Sequence, residues 1–137
     1  MASIRIDPSD PAPVYQQIVN ALRTLLVARA FSPGDRLPTV RELALDLGVH
    51  HNTVAEAYRM LADEGWLELR RRQGATVLDR ARPRATTDTR KTFGRRLRAL
   101  AAEAHAAGLS AAAVADALRD IAEELTAGTP SGAGRRQ

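Results

Sequence analysis

Residues 37–65 read LPTVRELALDLGVHHNTVAEAYRMLADEG. Two apolar periodicities run through this stretch. Val40, Leu43, Ala44 and Leu47 recur at helical spacing, and so do Val54, Ala57, Tyr58 and Leu61. Between them, Leu47-Gly48-Val49 leaves room for a tight turn only. Gly48 stands where a chain leaves one helix with positive φ before entering the next. Thr39 followed by Glu42 is the spacing of a capping box, in which each side chain satisfies an otherwise orphaned backbone donor. Pro38 sharpens that start by holding its predecessor extended. The second helix begins between His50 and Thr53. Asn52 and Thr53 are both suitable caps, and Thr53 with Glu56 repeats the capping-box spacing. Two short helices joined by a glycine-containing turn form a helix-turn-helix, whose second helix reads base edges in the major groove.

After Gly65, Trp66-Leu67-Glu68-Leu69-Arg70 alternates as a half-buried strand does. Gly74 turns the chain, and Ala75-Thr76-Val77-Leu78 returns as its partner. A hairpin in this place is a wing. Its tip, Arg70-Arg71-Arg72-Gln73-Gly74, carries three consecutive arginines, which suit a phosphate or a minor groove better than a core.

Before residue 37, Val14, Ile18, Ala21, Leu22, Leu25 and Leu26 form one apolar stripe, which predicts a helix over residues 12–30 with Pro13 in its first turn. Phe31 packs under its exit. Ile4-Arg5-Ile6-Asp7 is a short strand or an extended arm. The fold expected is mainly α with a small β-hairpin: a winged helix-turn-helix over residues 1–79, then a linker over 80–89.

Two further helices are expected over residues 90–127, with a disordered tail over 128–137. Phe93, Leu97 and Leu100 lie on one side of the first helix. Gly108 stops it, Leu109 is a hinge hydrophobe, and Ser110 caps the next. Val114, Leu118, Ile121 and Leu125 share one face of the second. An alanine-rich pair of this size cannot bury both apolar faces alone. Two copies packed as a four-helix bundle can, which predicts a homodimer. The alternative is a pair folded back on the winged helix.

The chain has 137 residues, a formal charge of +4 and a pI near 10.6. Residues 70–98 hold eleven Arg or Lys against Asp79 and Asp88, a basic band that suits phosphate contacts. With no cysteine, disulfides and thiolate metal sites are excluded, and a cytoplasmic setting is expected. No apolar run approaches the roughly 18–20 residues of a membrane span. The abundance of Ala and Arg beside a single Lys points to a GC-rich bacterial source.

Pro13-Val14-Tyr15-Gln16-Gln17-Ile18, the run from Phe31 to Ala44, Leu47-Gly48-Val49, Asn52-Thr53-Val54 and Ala57-Tyr58-Arg59-Met60-Leu61 together resemble the GntR family of bacterial transcription regulators. Glu103-Ala104-His105-Ala106-Ala107-Gly108-Leu109-Ser110 resembles the short tail of its YtrA-type subfamily. That resemblance implies no large effector domain, dimerisation through the tail, and repression of operons that are often those of ABC transporters. It places the family's DNA-contacting arginine at Arg41, its turn and recognition-helix start at His50, His51, Asn52 and Thr53, and its wing contact at Gln73 and Gly74. The chain departs from the family at His50 and His51, where many relatives carry Ser or Thr then Arg. It also has Ala55 where some carry a second arginine, and Arg72-Gln73-Gly74-Ala75-Thr76-Val77 for the usual wing.

The side chains agree with this chemistry. Asn52 can bond adenine N6 and N7 together, and Thr53 can meet a phosphate or a thymine methyl, unless either only caps the helix. Arg41 suits a phosphate or a guanine. Arg36 suits a phosphate, or an ion pair with Asp35 or Glu42. Arg59 reaches the DNA backbone or serves structure alone. Thr39 completes the DNA-facing set. Tyr58 and Trp66 read as core. No cofactor or metal is expected: adjacent helical positions such as His50 and His51 diverge by about 100°, and His105 stands alone. No nucleophile–base pair or phosphate-cradling loop supports an enzyme. The expectation is a dimeric repressor on double-stranded DNA with a palindromic operator. The rivals are a protein-interaction module or an architectural DNA binder without base readout. No deep ligand pocket is apparent, so an effector would sit at the dimer interface or be absent.

Overall fold

Residues 4–71, 74–80 and 83–127 are described in a computed structural model of the chain. Arg72, Gln73 and the tail over 128–137 lie outside the described residues. The elements are α1 (Val14–Val27), β1 (Arg36–Leu37), α2 (Val40–Leu47), α3 (His51–Asp63), β2 (Leu67–Arg70), β3 (Gly74–Val77), α4 (Thr87–Ala106) and α5 (Ala111–Ala127). They fall into two units, Met1–Arg80 and Ala81–Gln137.

In the first unit, α1, α2 and α3 enclose one apolar core with a three-stranded sheet. Ile18, Val19, Leu22 and Leu26 come from α1, Leu43 and Ala44 from α2, and Val54, Ala57, Tyr58 and Leu61 from α3. Leu37, Leu67, Ala75 and Val77 close it from the sheet. Phe31, Val40 and Leu47 pack at its margin. Ile4 and Ile6 do the same from an extended arm, not a strand. The Gln17 amide holds that arm, accepting from the Asp7 backbone N at 2.8 Å and donating to its carbonyl at 3.1 Å.

Helix α1 is shorter than the predicted 12–30. Pro13 is extended, with ψ 151°, and serves as the cap, so the first turn starts at Val14. At the other end Arg29 adopts a left-handed φ of 60°, and the Ala30 N–H returns to the Leu25 carbonyl at 2.9 Å. That closure ends the helix.

The sheet is antiparallel, in the order β1-β3-β2. The two-residue β1 is a strand that periodicity does not reveal, because only one of its residues, Leu37, is buried. The alternation expected of residues 66–70 holds in part. Leu67 pairs with Val77 and is buried, whereas Leu69 pairs with the buried Ala75 and is itself exposed. Ala75 lies on the central strand and Leu69 on an edge strand, which leaves the outer apolar position of β2 at the border of the core.

In the second unit, α4 and α5 form a hairpin. Helix α4 begins at Thr87, three residues before the predicted start, because the Thr86 hydroxyl accepts from the Thr89 N–H at 3.0 Å. Asp88 in the first turn also complements the helix dipole. The turn follows the expected residues. Gly108 takes φ 109°, and the Ser110 hydroxyl accepts from the Ala113 N–H at 3.0 Å. The His105 ring bonds the Leu109 carbonyl at 2.9 Å. No residue of either helix is buried.

Candidate nucleic-acid interface

The start of α2 is fixed from three directions. The Thr39 hydroxyl accepts from the Glu42 N–H at 3.1 Å, and the Glu42 carboxylate accepts from the Thr39 N–H at 2.8 Å, which completes the capping box. From α3, the Tyr58 hydroxyl donates to the Pro38 carbonyl at 2.7 Å. Burial, and after it the Glu42 charge, push the Tyr58 phenol far above its usual pKa, so it remains a donor. From the wing, Gly74 lies so close that a Cβ there would stand 3.3 Å from the Thr39 Cα, and its φ of +77° already favours glycine. Gly74 therefore shapes the junction of wing and helix.

Helix α2 ends at Gly48 in the left-handed region, with φ 70° and ψ 35°, and the Val49 N–H returns to the Ala44 carbonyl at 3.0 Å. The chain then enters α3 through a cap that differs from both candidates in the sequence. His50 is the N-cap: its backbone is extended and its Nδ1 accepts from the Asn52 N–H at 3.1 Å. The Asn52 side chain is thereby released from capping and is exposed, while Thr53 is half-buried. Because His50 precedes the helix, the roughly 100° divergence of adjacent helical side chains does not apply to it. Its ring stacks on that of His51, with centroids 4.4 Å apart.

Val54, Ala57, Tyr58 and Leu61 turn one side of α3 into the core, so the other side is left to solvent. An open groove of about 970 Å³ runs between the start of α2, α3 and the wing. It brings together Thr39, Arg41, His51, Arg59, Arg71 and Gly74 from the predicted set. Arg36, His50, Asn52 and Thr53 do not line it. Ala55, Leu69 and Arg70 do: no contact was expected of Ala55 or Leu69, whereas Arg70 stands in the run of wing-tip arginines. The only signal at Leu69 was position, near the end of the strand that leads to the wing tip.

The groove carries four arginines and no acidic lining residue. Ion pairs among the described residues join Arg23 to Glu64, Arg70 to Glu68 and Arg119 to Asp116. Arg41, Arg59 and Arg71 enter none of them. Nor does Arg36 pair with its neighbours. Asp35 instead accepts from the Ser32 N–H, and Glu42 belongs to the capping box. Such uncompensated cations on an open surface suit a polyanion.

Behind the interface, the end of α3 is tied down. Arg23 of α1 makes a two-pronged contact with the Glu64 carboxylate, one bond at 3.0 Å, and this holds the Glu64 carboxyl below its usual pKa. Arg80 donates to the Glu64 carbonyl at 2.8 Å and lies over the Trp66 ring, 4.5 Å from its centroid. Arg80 thus packs within the first unit, although the sequence placed it in a linker. Among the described residues, no three ligand-type side chains converge to hold a metal ion, and no helix is long and apolar enough to cross a membrane.

The model of the bacterial regulatory proteins of the gntR family matches residues 14–77, from the start of α1 to the end of the wing. The transcriptional repressor YtrA of Bacillus subtilis is 31% identical over 125 residues, which span 91% of this chain and 96% of that protein. Among solved structures, YtrA from Sulfolobus acidocaldarius, a GntR-family transcription factor, superposes with a TM-score of 0.56 at 32% identity, over 70% of this chain and 97% of the other. A GntR-family regulator from Listeria monocytogenes gives 0.54 at 25% identity, over 84% and 98%. The proteins alike in sequence and in fold are regulators of transcription and not enzymes, and with nearly the whole of one relative covered, the chain belongs to the GntR family of DNA-binding transcription regulators.

Proposed function

We propose that the chain is a dimeric repressor that reads a palindromic operator. The observation that carries this reading is the groove of about 970 Å³ between a recognition helix and a wing, where Arg41, Arg59 and Arg71 enter no ion pair among the described residues. Arg41 at the start of α2 and Arg59 on α3 flank the path a DNA strand takes between the two. Asn52, exposed and free of capping, is placed to read adenine, and Thr53 meets a phosphate or a thymine methyl beside it. His50 and His51 lead into the helix. Arg36 and the wing, with Arg71, Arg72 and Gln73, hold flanking phosphates.

The dimer reading rests on the second unit. Phe93, Leu100, Leu109, Leu118, Ile121 and Leu125 are exposed large apolar residues, and Leu97 and Val114 are only half-buried. An open groove of about 820 Å³ lined by Phe93, Leu97 and Leu100 runs along α4. A second hairpin seated there buries what one copy leaves in water. Residues 90–127 then act as the dimerisation tail, and the two recognition helices enter major grooves about 10 bp apart or a multiple of that. Repression follows from blocking polymerase. The repressor name of the Bacillus relative supports that direction, and an operon for a transporter is the target that the family resemblance favours.

The test is a gel shift with the DNA upstream of the protein's own gene, competed by unrelated DNA. Binding that survives the competitor supports the reading. Binding that the competitor removes entirely, with a steep salt dependence, overturns base readout. Arg41→Ala is expected to weaken binding by about 1–3 kcal/mol if it reads a base, or to lower the salt slope by about one if it holds a phosphate. A chain that loses neither affinity nor slope removes Arg41 from the interface.

A further inference from the structure

His50 is bound at one edge and open at the other. Its Nδ1 accepts the Asn52 backbone N–H at 3.1 Å. A backbone N–H has only a proton to give, so Nδ1 must present a lone pair, and the ring proton sits on Nε2. Turning the ring over would put a carbon against the Asn52 N–H and abandon the cap. The stack on His51, with centroids 4.4 Å apart and planes 27° from parallel, restrains the ring further. His50 is nevertheless exposed, at the start of the helix whose outer face carries Asn52 and Arg59. It therefore differs from its neighbour in kind. The Asn52 amide can present either a donor or an acceptor by rotating, whereas the outer edge of His50 can only donate.

We infer that His50 is a specificity-determining residue, whose Nε2–H donates to an acceptor on the DNA and rejects a donor. This deepens the operator-reading function and rests on it. In the major groove the purine N7, guanine O6 and thymine O4 accept, while cytosine offers only its N4 amine. A phosphate oxygen supplies the same acceptor chemistry outside the bases. A donor fixed by the protein's own backbone accepts a purine or thymine and disfavours cytosine at the position it meets.

His50→Ser separates this role from capping, because serine also caps a helix start and has no ring. Unchanged thermal melting of the variant confirms that the cap is kept, and His50→Thr serves if serine lowers it. Both chains are used to select binding sites from random duplex DNA. The wild type is expected to prefer a purine over cytosine about 3- to 10-fold at one position of each half-site, the range of a single hydrogen bond. The variant is expected to accept all four bases there, with the rest of the site unchanged. 7-Deazapurine at that position should weaken the wild type and leave the variant alone. If instead the two chains share the same base preferences while a single neutral methylphosphonate linkage weakens the wild type about 3- to 10-fold and spares the variant, Nε2–H meets a phosphate and the specificity role of His50 is overturned. Identical base preferences together with identical methylphosphonate sensitivity remove His50 from the interface altogether and leave operator reading intact. Selection of no sequence by either chain overturns both.

Discussion

The two units use apolar residues in opposite ways. In Met1–Arg80, Ile18, Val19, Leu22, Val54 and Leu61 are wholly withdrawn from water. In the hairpin of α4 and α5, Phe93 is 64% and Leu100 62% exposed, and neither helix has a buried residue. The first unit carries its own driving force for folding. The second has side chains of similar character and too little partner surface within one chain to use them. A domain that presents a recognition surface must be rigid by itself, whereas an element that joins copies must keep its apolar face for the copy.

The sharpest way to break this contrast is to charge the hairpin. Leu100→Arg is expected to leave monomers in sedimentation and to weaken binding to a two-half-site operator by about 100-fold or more, through loss of linked binding. The helical signal of the first unit should survive. A dimer that persists would place the joining surface elsewhere. Next in size is the core: Leu61→Ala should destabilise the first unit by about 2–5 kcal/mol in urea unfolding. Leu118→Ala is expected to change that same transition by less than about 0.5 kcal/mol. Comparable effects at the two sites would mean that the units do not fold separately.

Smaller effects sharpen the picture of the first unit. Tyr58→Phe strands the Pro38 carbonyl and should shift the urea midpoint by an amount equivalent to about 0.5–1.5 kcal/mol. An unchanged midpoint would mean that water replaces the hydroxyl. The least effect is expected at Glu64, whose hydrogen bonds from Arg23 depress its pKa. Its stabilisation is complete above the ordinary glutamate value of 4.5 and is lost as pH falls through the lower folded value. The stability gap between wild type and Glu64→Gln should be roughly 0–1 kcal/mol near pH 7 and should shrink on acidification below pH 4.5. A gap that does not change with pH would assign it to packing.

Much of the fold was legible because local chemistry and long-range packing agree. Thr39 with Glu42 announced a capping box, Gly48 a left-handed turn, and the spacing of Val54, Ala57, Tyr58 and Leu61 a buried face; all are present. What stayed hidden depends on contacts distant in sequence. The strand at Arg36–Leu37 exists because β3 pairs with it, and two residues have no period to detect. Arg80 resembles any linker arginine until Trp66 and the Glu64 carbonyl are brought beside it. In the candidate interface, Arg41 was named from the family resemblance and Arg59 from its position in the second helix of the motif. The cap at His50 could not be named, because Asn52 and Thr53 are the better formers by type. The backbone is instead extended at His50, two positions before Asn52, and an imidazole nitrogen turns toward the Asn52 amide.

Tyr58 and Arg59 are neighbours on one helix with opposite obligations. The tyrosine braces the start of α2 through the Pro38 carbonyl, and Gly74 and the Thr39–Glu42 box secure the same corner. The arginine, like Asn52, faces outward and supports nothing in the fold that its replacement would undo. The consequence is a scaffold whose vocabulary can be rewritten without touching its grammar. If the operator-reading proposal holds, re-aiming this protein at another DNA sequence means exchanging residues at 51, 52 and 59, and position 50 for another capping residue, while 39, 42, 58 and 74 stay as they are.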